Sequence, residues 1–324
     1  MENNFKILSV NCQGLNDFKK RKDVFDFLRH KAFNIYCLQD THFTREMEKI
    51  VYAQWGYKVH FSNYKSNARG TAILFHNNFE YKVIQEKVDI NGNYLILDII
   101  IQGNRISLVT LYGPNKDKPT FFENINLILD ELGNEHIIMC GDFNLVLEPE
   151  IDTENYQHVN NPNARNKLLE IIENKNLIDA YRQLHETEPR FTWRKRNPRK
   201  QARLDFFLIS ENLLTFLNKS SIEHSYRSDH SSITLELTIN EFKRGKGLWK
   251  FNNSLLIRND YTTLIKNTIN CIKEQYAIPV YNINAIGEIP DESLQFTINY
   301  QLIDGDSRKN NFIFQSHSKT KKNE

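Results

Sequence analysis

Short apolar runs alternate along most of the chain with stretches whose apolar positions return at helical spacing. KILSV, NIYCL, GTAILFH, YKVIQEKVDI, YLILDIIIQ, RISLVTLY and HIIMC have the length and β-branched texture of strands, and Gly103-Asn104 marks a tight hairpin turn. Between the first two runs, Val24, Phe25, Leu28 and Ala32 recur as one helix face, with Asn16 and Asp17 placed to cap it. A second helix is expected from Thr120 to Leu132 and a third from Ala164 to Asn174, while FTWR, RLDFFLI, IEHSY and SITLELTI read as later strands. This alternation predicts an α/β protein: two mixed or antiparallel sheets packed face to face with helices outside, a four-layer α/β sandwich.

Beyond Asn240 the texture changes. EFKRGKG reads as a linker, LWKFNNSLL and the stretch to Tyr276 as helix, and SHSKTKKNE as a polar, disordered tail. The expected division is a main folded domain over 1–239 and a linker with a C-terminal extension over 240–324.

Composition narrows the picture. With 40% hydrophobic and 12% aromatic residues in 324, the chain can bury a sizeable core. A net charge of +2 excludes an all-round basic protein, so any nucleic-acid work falls to local charge. Cys12, Cys37, Cys140 and Cys271 show no CxxC spacing and read as thiols in a reducing compartment, not as disulfides or a zinc site. MENNFKILSV lacks an apolar signal core, and no apolar run is long enough to span a bilayer. A nuclear or cytoplasmic place, with no membrane partner, is therefore expected.

Most of the polar tips that follow the strand-like runs are of one chemical kind. Asn11 and Asp40 end the first two strands, where an amide oxygen and a carboxylate can reach the same ion; oxygen donors suit Mg²⁺, with Mn²⁺ as substitute. The plain alternative is a pair of caps. In GDFN, Asp142 and Asn144 would share one face of an extended segment, able to orient or deprotonate a water, or would simply form a turn. Asp205 lies among Leu204, Phe206 and Phe207 and needs a partner if buried; His230, in SDHS beside Asp229, is the natural one. Tyr112, before Gly113-Pro114, can donate to a phosphate oxygen or merely pack, and His42 in QDTH has no assigned role.

One charge cluster stands apart from the rest. The segment 190–203 carries Arg190, Arg194, Lys195, Arg196, Arg199, Lys200 and Arg203 with no acid, folded back at Asn197-Pro198. It reads as a basic hairpin beside the cleft, with Thr192 at its base and a polyanion as partner.

Taken in order, SVNCQG, QDTH, LYGP, GDFN, RLD and SDHS resemble the endonuclease/exonuclease/phosphatase superfamily over roughly residues 5 to 239. IYCLQDTH, LYGPN and GDFNLVL look most like the exonuclease III-like endonuclease domain of LINE-type non-LTR retrotransposons. LWKFNNSLL resembles the segment that precedes their reverse transcriptase, which this chain does not contain. The resemblance implies that Asn11 and Asp40 hold metal with Asp229 close by, Tyr112 contacts the scissile phosphate, Asp142 and Asn144 position the water, and Asp205 orients His230. It leaves open whether Asp142 or His230 is the base. Asp40 departs from the family's usual Glu by one methylene.

The expected activity is Mg²⁺-dependent nicking of double-stranded DNA that leaves a 3′ hydroxyl. Three rivals stay open: an apurinic/apyrimidinic repair enzyme, a lipid or inositol phosphatase, and a catalytically weak DNA-binding remnant. The basic hairpin disfavours the phosphatase.

Overall fold

The strand, helix, strand opening forms as β1 (Asn4–Asn11), α1 (Phe18–Lys31) and β2 (Ile35–Gln39) in the computed structural model of the chain. That structure describes residues 4–77, 79–156, 160–238, 259–275, 297–298 and 314–315. Asp17 caps α1 by accepting the Lys20 N–H at 2.6 Å, and Ala32, expected on the helix face, instead closes the helix in the left-handed region at φ 52°. α2 (Glu48–Trp55), which the apolar pattern does not announce, follows and precedes the short β3 (Val59–Ser62) and β4 (Thr71–Phe75).

The β-rich stretch supplies β5 (Lys82–Val88), β6 (Tyr94–Ile101) and β7 (Asn104–Tyr112), followed by α3 (Pro119–Leu132) and β8 (Ile137–Asp142). The polar loop after GDFN contains two small elements that its composition hides, α4 (Pro149–Asp152) and β9 (Thr153–Glu154). Then come α5 (Pro162–Asn174), β10 (Leu177–Asp179), α6 (Ala180–Leu184), β11 (Trp193–Lys195), β12 (Lys200–Ala202), β13 (Asp205–Ser210), β14 (Leu217–Glu223) and β15 (Ser232–Thr238). The strand expected at IEHSY thus sits upstream. Its inward positions, Ser220 and Ile222, include a buried serine that leaves no apolar signature.

Two six-stranded sheets result, ordered β14-β15-β1-β2-β4-β3 and β10-β13-β8-β7-β6-β5, with β11-β12-β9 as a small third sheet. Strand periodicity builds the layers. Phe5, Ile7, Ile35 and Cys37 of the first sheet pack against Leu97, Leu108, Ile138, Cys140 and Phe207 of the second. The opposite faces carry helices: Leu8, Tyr36 and Leu74 meet Phe25, Leu28 and Trp55, while Val109 and Met139 meet Phe122, Ile125, Leu129 and Leu168. The expected four-layer sandwich is the fold. Truncating one of these fully buried aliphatics, such as Ile138→Ala, costs about 2–5 kcal/mol.

Cys12, Cys37 and Cys140 are buried free thiols, and no helix among the described residues is long and apolar enough to cross a membrane. The chain divides into two units, Met1–Gly245 and Lys246–Glu324; the second includes α7 (Asn259–Gln275). The linker at EFKRGKG, the start of the expected helix at LWKFNNSLL and the tail SHSKTKKNE lie outside the described residues.

Candidate active site

The alternation that sends Phe5 and Ile7 into the space between the sheets carries Asn11 to the same side at the end of β1. In the second sheet the same parity puts Tyr112, Asp142 and Asp205 on the inner face. Tyr112 and Asp205 each register directly against Asp142. The mouth of the inter-sheet space is therefore lined by the last inward residues of strands from both sheets. Two glycines let the second sheet close there: a Cβ on Gly141 would stand 2.0 Å from the Leu111 carbonyl, and one on Gly113 2.1 Å from that of Phe143.

A chain of hydrogen bonds crosses this mouth. The Asn11 amide Nδ2 donates to Asp142 Oδ2 at 2.9 Å, while its Oδ1 accepts the Gln13 N–H at 3.0 Å. His230 Nδ1 lies 2.8 Å from Asp205 Oδ2, and its Nε2 lies 3.7 Å from Asp142 Oδ2 and 4.0 Å from Asp229 Oδ1. Ser228 ties the loop down, its hydroxyl donating to the Asn11 carbonyl at 2.7 Å and accepting the His230 N–H at 3.1 Å. GDFN is not extended as expected. Asn144 turns left-handed at φ 52°, its N–H donating to Asp142 Oδ1 at 2.9 Å and its Nδ2 to the Gly113 carbonyl at 2.7 Å. The turn and the convergence of functional groups coexist.

Asp40 stands at the end of β2 in the left-handed region, φ 51°, with His42 at φ 58° behind it. Non-glycine residues in such conformations cost free energy and gather where surrounding contacts enforce them. Here Asp40 Oδ1 takes both the Arg69 N–H and a bond with His42 Nε2, each at 3.0 Å, while Gly14 leaves room for the imidazole, since a Cβ there would meet His42 Nδ1 at 2.7 Å. His42 thus acquires a place, holding Asp40. Its spacing of two residues within QDTH is the only signal in the sequence.

Burial of so many charges shifts their proton affinities. Desolvation pushes the Asp142 carboxyl up, His230 pulls it down, Asp205 pushes it up again, and the Asn11 and Asn144 donors lower it, with a balance at about 7. Burial lowers the pKa of His230, but Asp205 and Asp142 outweigh it and lift the imidazole to about 10. Tyr112 is held well above the usual phenol range by burial and then by the Asp40 and Asp142 carboxylates, so it remains a neutral donor.

Two donor groups offer themselves to a cation. Atoms of Asp142, Asp205 and His230 all lie within 4.8 Å of one another, close enough for one ion to bridge. Within that trio the imidazole is already bonded to Asp205 through Nδ1, so its Nε2, which faces Asp142, is the nitrogen left for an ion. Asp40 and Asn11 supply hard oxygens, and both hydrogen bonds to Asp40 fall on Oδ1, leaving Oδ2 outside them. Asp229 is 39% exposed, its Oδ2 accepting the Trp193 indole N–H at 3.1 Å. Oxygen donors of this kind suit a hard divalent ion.

The basic hairpin forms as β11 and β12, with Lys195, Arg196 and Arg199 exposed. Two residues assigned to nucleic acid from sequence do something else. Arg203 is 0% exposed, bonded to Asp152 at 2.7 and 2.9 Å and to Asp179 at 2.6 Å, so it is a core cation anchoring the hairpin base. Thr192, also 0% exposed, accepts the Leu204 and Asp205 N–H groups at 2.9 and 3.1 Å. Arg194 is half-buried, its guanidinium spent on Gln201, Ser231 and the Phe191 carbonyl. Arg199 lies 3.5 Å from Glu154. The cluster is compensated more than its sequence shows, because Asp152, Glu154 and Asp179 come from earlier elements.

A family model described as endonuclease-reverse transcriptase matches residues 106–234. The uncharacterized 149 kDa protein of transposon TX1 from Xenopus laevis is 27% identical over 271 residues, covering 81% of this chain and 20% of that protein. The chain thus spans about a fifth of the transposon protein's length. An exodeoxyribonuclease of Bacillus subtilis (strain 168) is 25% identical over 265 residues, covering 72% of this chain and 100% of that protein. Among solved structures, an AP endonuclease of Leishmania major shares the fold with a TM-score of 0.64 and 18% identity, over 74% of this chain and 89% of that one.

Proposed function

We propose that this chain, a member of the endonuclease/exonuclease/phosphatase superfamily related to retrotransposon endonucleases, is a metal-dependent DNA endonuclease that nicks duplex DNA and leaves a 3′ hydroxyl. The reading is carried by two hydrogen-bonded pairs, Asp205 with His230 and Asn11 with Asp142, which face each other at 3.7 Å between His230 Nε2 and Asp142 Oδ2 across the mouth between the sheets. A buried acid beside a carboxylate-held imidazolium and a neutral phenol is equipment for moving one proton and stabilising one phosphate.

In this mechanism Asp142 takes the proton of the attacking water, which the Asn144 amide helps to hold. Its carboxyl, lifted toward neutral pH, is suited to that role. Asp205 fixes the ring of His230, which together with the Tyr112 hydroxyl donates to phosphate oxygens. Asp40 and Asn11, with Asp229 alongside, would hold a divalent ion such as Mg²⁺ or Mn²⁺. When bound, that ion supplies charge neutralisation of the phosphate. The exposed cations of the hairpin grip the DNA backbone, and the 3′ hydroxyl is the end a retrotransposon needs to prime reverse transcription.

Supercoiled plasmid with and without Mg²⁺ tests the reading. Conversion to open circle that stops in EDTA is expected; undiminished cleavage in EDTA overturns the metal-dependent mechanism. The same protein on matched intact and abasic duplexes separates a retrotransposon-type nicking enzyme from a repair enzyme, which would cut only the abasic strand.

A further inference from the structure

A second cationic element stands on the catalytic rim, and the nicking mechanism makes no use of it. The connection from β3 to β4 runs Asn63, Tyr64, Lys65, Ser66, Asn67, Ala68, Arg69 and carries no acid. Neither Lys65 nor Arg69 takes part in an ion pair among the described residues. Both instead lie over one aromatic ring: the Arg69 guanidinium carbon is 4.9 Å and Lys65 Nζ 5.2 Å from the Tyr64 centroid.

The turn is held in place from several sides. Tyr64 N–H donates to the Phe43 carbonyl at 3.3 Å, and Asn16 Nδ2 donates to the Ser66 carbonyl. Arg69 reaches the catalytic groups through its backbone, its N–H donating to Asp40 Oδ1 at 3.0 Å and its carbonyl accepting from His42 N–H at 2.7 Å. Two charges without carboxylate partners are thus presented by a turn whose backbone is fixed to Asp40.

Its place follows from sheet order. β4 lies antiparallel to β2, and β15 antiparallel to β1, so the start of β4, the ends of β2 and β1 and the start of β15 share one edge of the sandwich. Along that edge the order is the His230 loop, Asn11, Asp40 and then the Lys65–Arg69 turn. The basic hairpin meets the same edge at its other end, where Ser231 N–H donates to the Thr192 carbonyl at 2.6 Å and Arg194 reaches the Ser231 hydroxyl at 2.9 Å. Three strand spacings of about 4.8 Å separate β15 from β4, about 14 Å in all. Laid along a duplex axis, that is about four base-pair rises of about 3.4 Å each.

We propose that the Tyr64–Arg69 turn is a second clamp for the DNA backbone, set on the side of the catalytic groups away from the hairpin, with Lys65 and Arg69 each taking a phosphate. The inference rests on the nuclease reading and adds to it a bipartite grip, in which the scissile phosphate is held between two cationic walls.

The test measures anisotropy of a labelled duplex over a KCl series in EDTA, with nicking of the same duplex in Mg²⁺ run in parallel. Lys65→Gln and Arg69→Gln should each lower the slope of log K against log salt by about 0.9, and the double variant by about 1.8. Lys82→Gln, at the far end of β5, should leave the slope alone. In phosphate ethylation interference, the phosphates that cease to matter in the double variant should lie at least about four base pairs along the duplex axis from those that cease to matter when the hairpin is neutralised. A double variant with the parental slope, in a protein that nicks, overturns the clamp and leaves the nuclease reading standing. A parental protein that neither binds nor nicks overturns both.

Discussion

The cluster around His230 and the hairpin between Trp193 and Ala202 are joined by hydrogen bonds yet built in opposite ways. Asp205, His230, Asp142 and Asn11 are buried, and each is bonded to another group of the set, so the position of one fixes the next. At the hairpin tip Lys195 and Arg196 are exposed. The first arrangement removes freedom from reacting groups before substrate arrives, which is where electrostatic catalysis gains most. The second leaves charge free to meet a polyanion whose affinity comes mainly from phosphates. Substitutions in the two regions should therefore fail in different observables.

The largest effect is expected inside the mouth. His230→Ala and Asp205→Asn should each lower the nicking rate by about 10²–10⁴-fold, the range of a lost acid–base group, and the double variant should lose little more. Duplex affinity measured in EDTA should stay within a few-fold of the parent. A His230→Ala protein that nicks at the parental rate would falsify the site; one that fails to bind would erase the contrast between the regions.

Next comes the seam that joins them. Arg203 belongs to the hairpin's base by sequence and to the core by burial, where Asp152 and Asp179 neutralise it. Arg203→Met leaves Asp152 to Arg182 alone and Asp179 to its cap of α6, and should destabilise the fold by about 3 kcal/mol, read as a lower urea midpoint. Lys195→Met should leave that midpoint unchanged.

A third measurement uses pH. His230 is raised to about 10 and Asp142 to about 7, so the metal-free folded state holds protons that the unfolded chain releases. Stability from His230 is complete below its ordinary value near 6.5 and is lost as pH rises through 10. Asp142 contributes a similar decline between about 3.8 and 7. Unfolding free energy in EDTA should therefore fall with rising pH, and His230→Gln should remove the alkaline part of the fall. A flat profile between neutral pH and 10 would mean that Asp205 does not hold an imidazolium.

Most of the sandwich can be read from period alone, because strands buried on both faces and helices with one apolar face announce themselves. Asp142 and Asp205 are legible too, as charges inside apolar runs. What escapes reading is whatever depends on partners distant in sequence. Arg203 and Thr192 look like hairpin surface until Asp152, Asp179 and the Asp205 N–H arrive from other elements. His42 looks idle until the left-handed turn at Asp40 brings its Nε2 back onto the carboxylate. α2 and β9 escape for a simpler reason, being short and half-polar, with packing rather than propensity selecting them.

The smallest effect belongs to the hairpin tip, and it separates the regions most cleanly. Lys195 and Arg196 are exposed and bear no ion pair among the described residues, whereas Arg199 is partly engaged with Glu154 at 3.5 Å. Lys195→Gln and Arg196→Gln should each reduce the salt slope of duplex binding by about 0.9, and Arg199→Gln by less, because its charge is already shared. All three should melt like the parent. The rate of nicking at saturating DNA should hold while nick positions on a sequenced plasmid redistribute, since the tip is joined to the Asp229–His230 loop only through its base. If instead the rate collapses with the slope unchanged, the tip transmits strain through Trp193 into Asp229, and the division between a rigid mouth and a free tip fails.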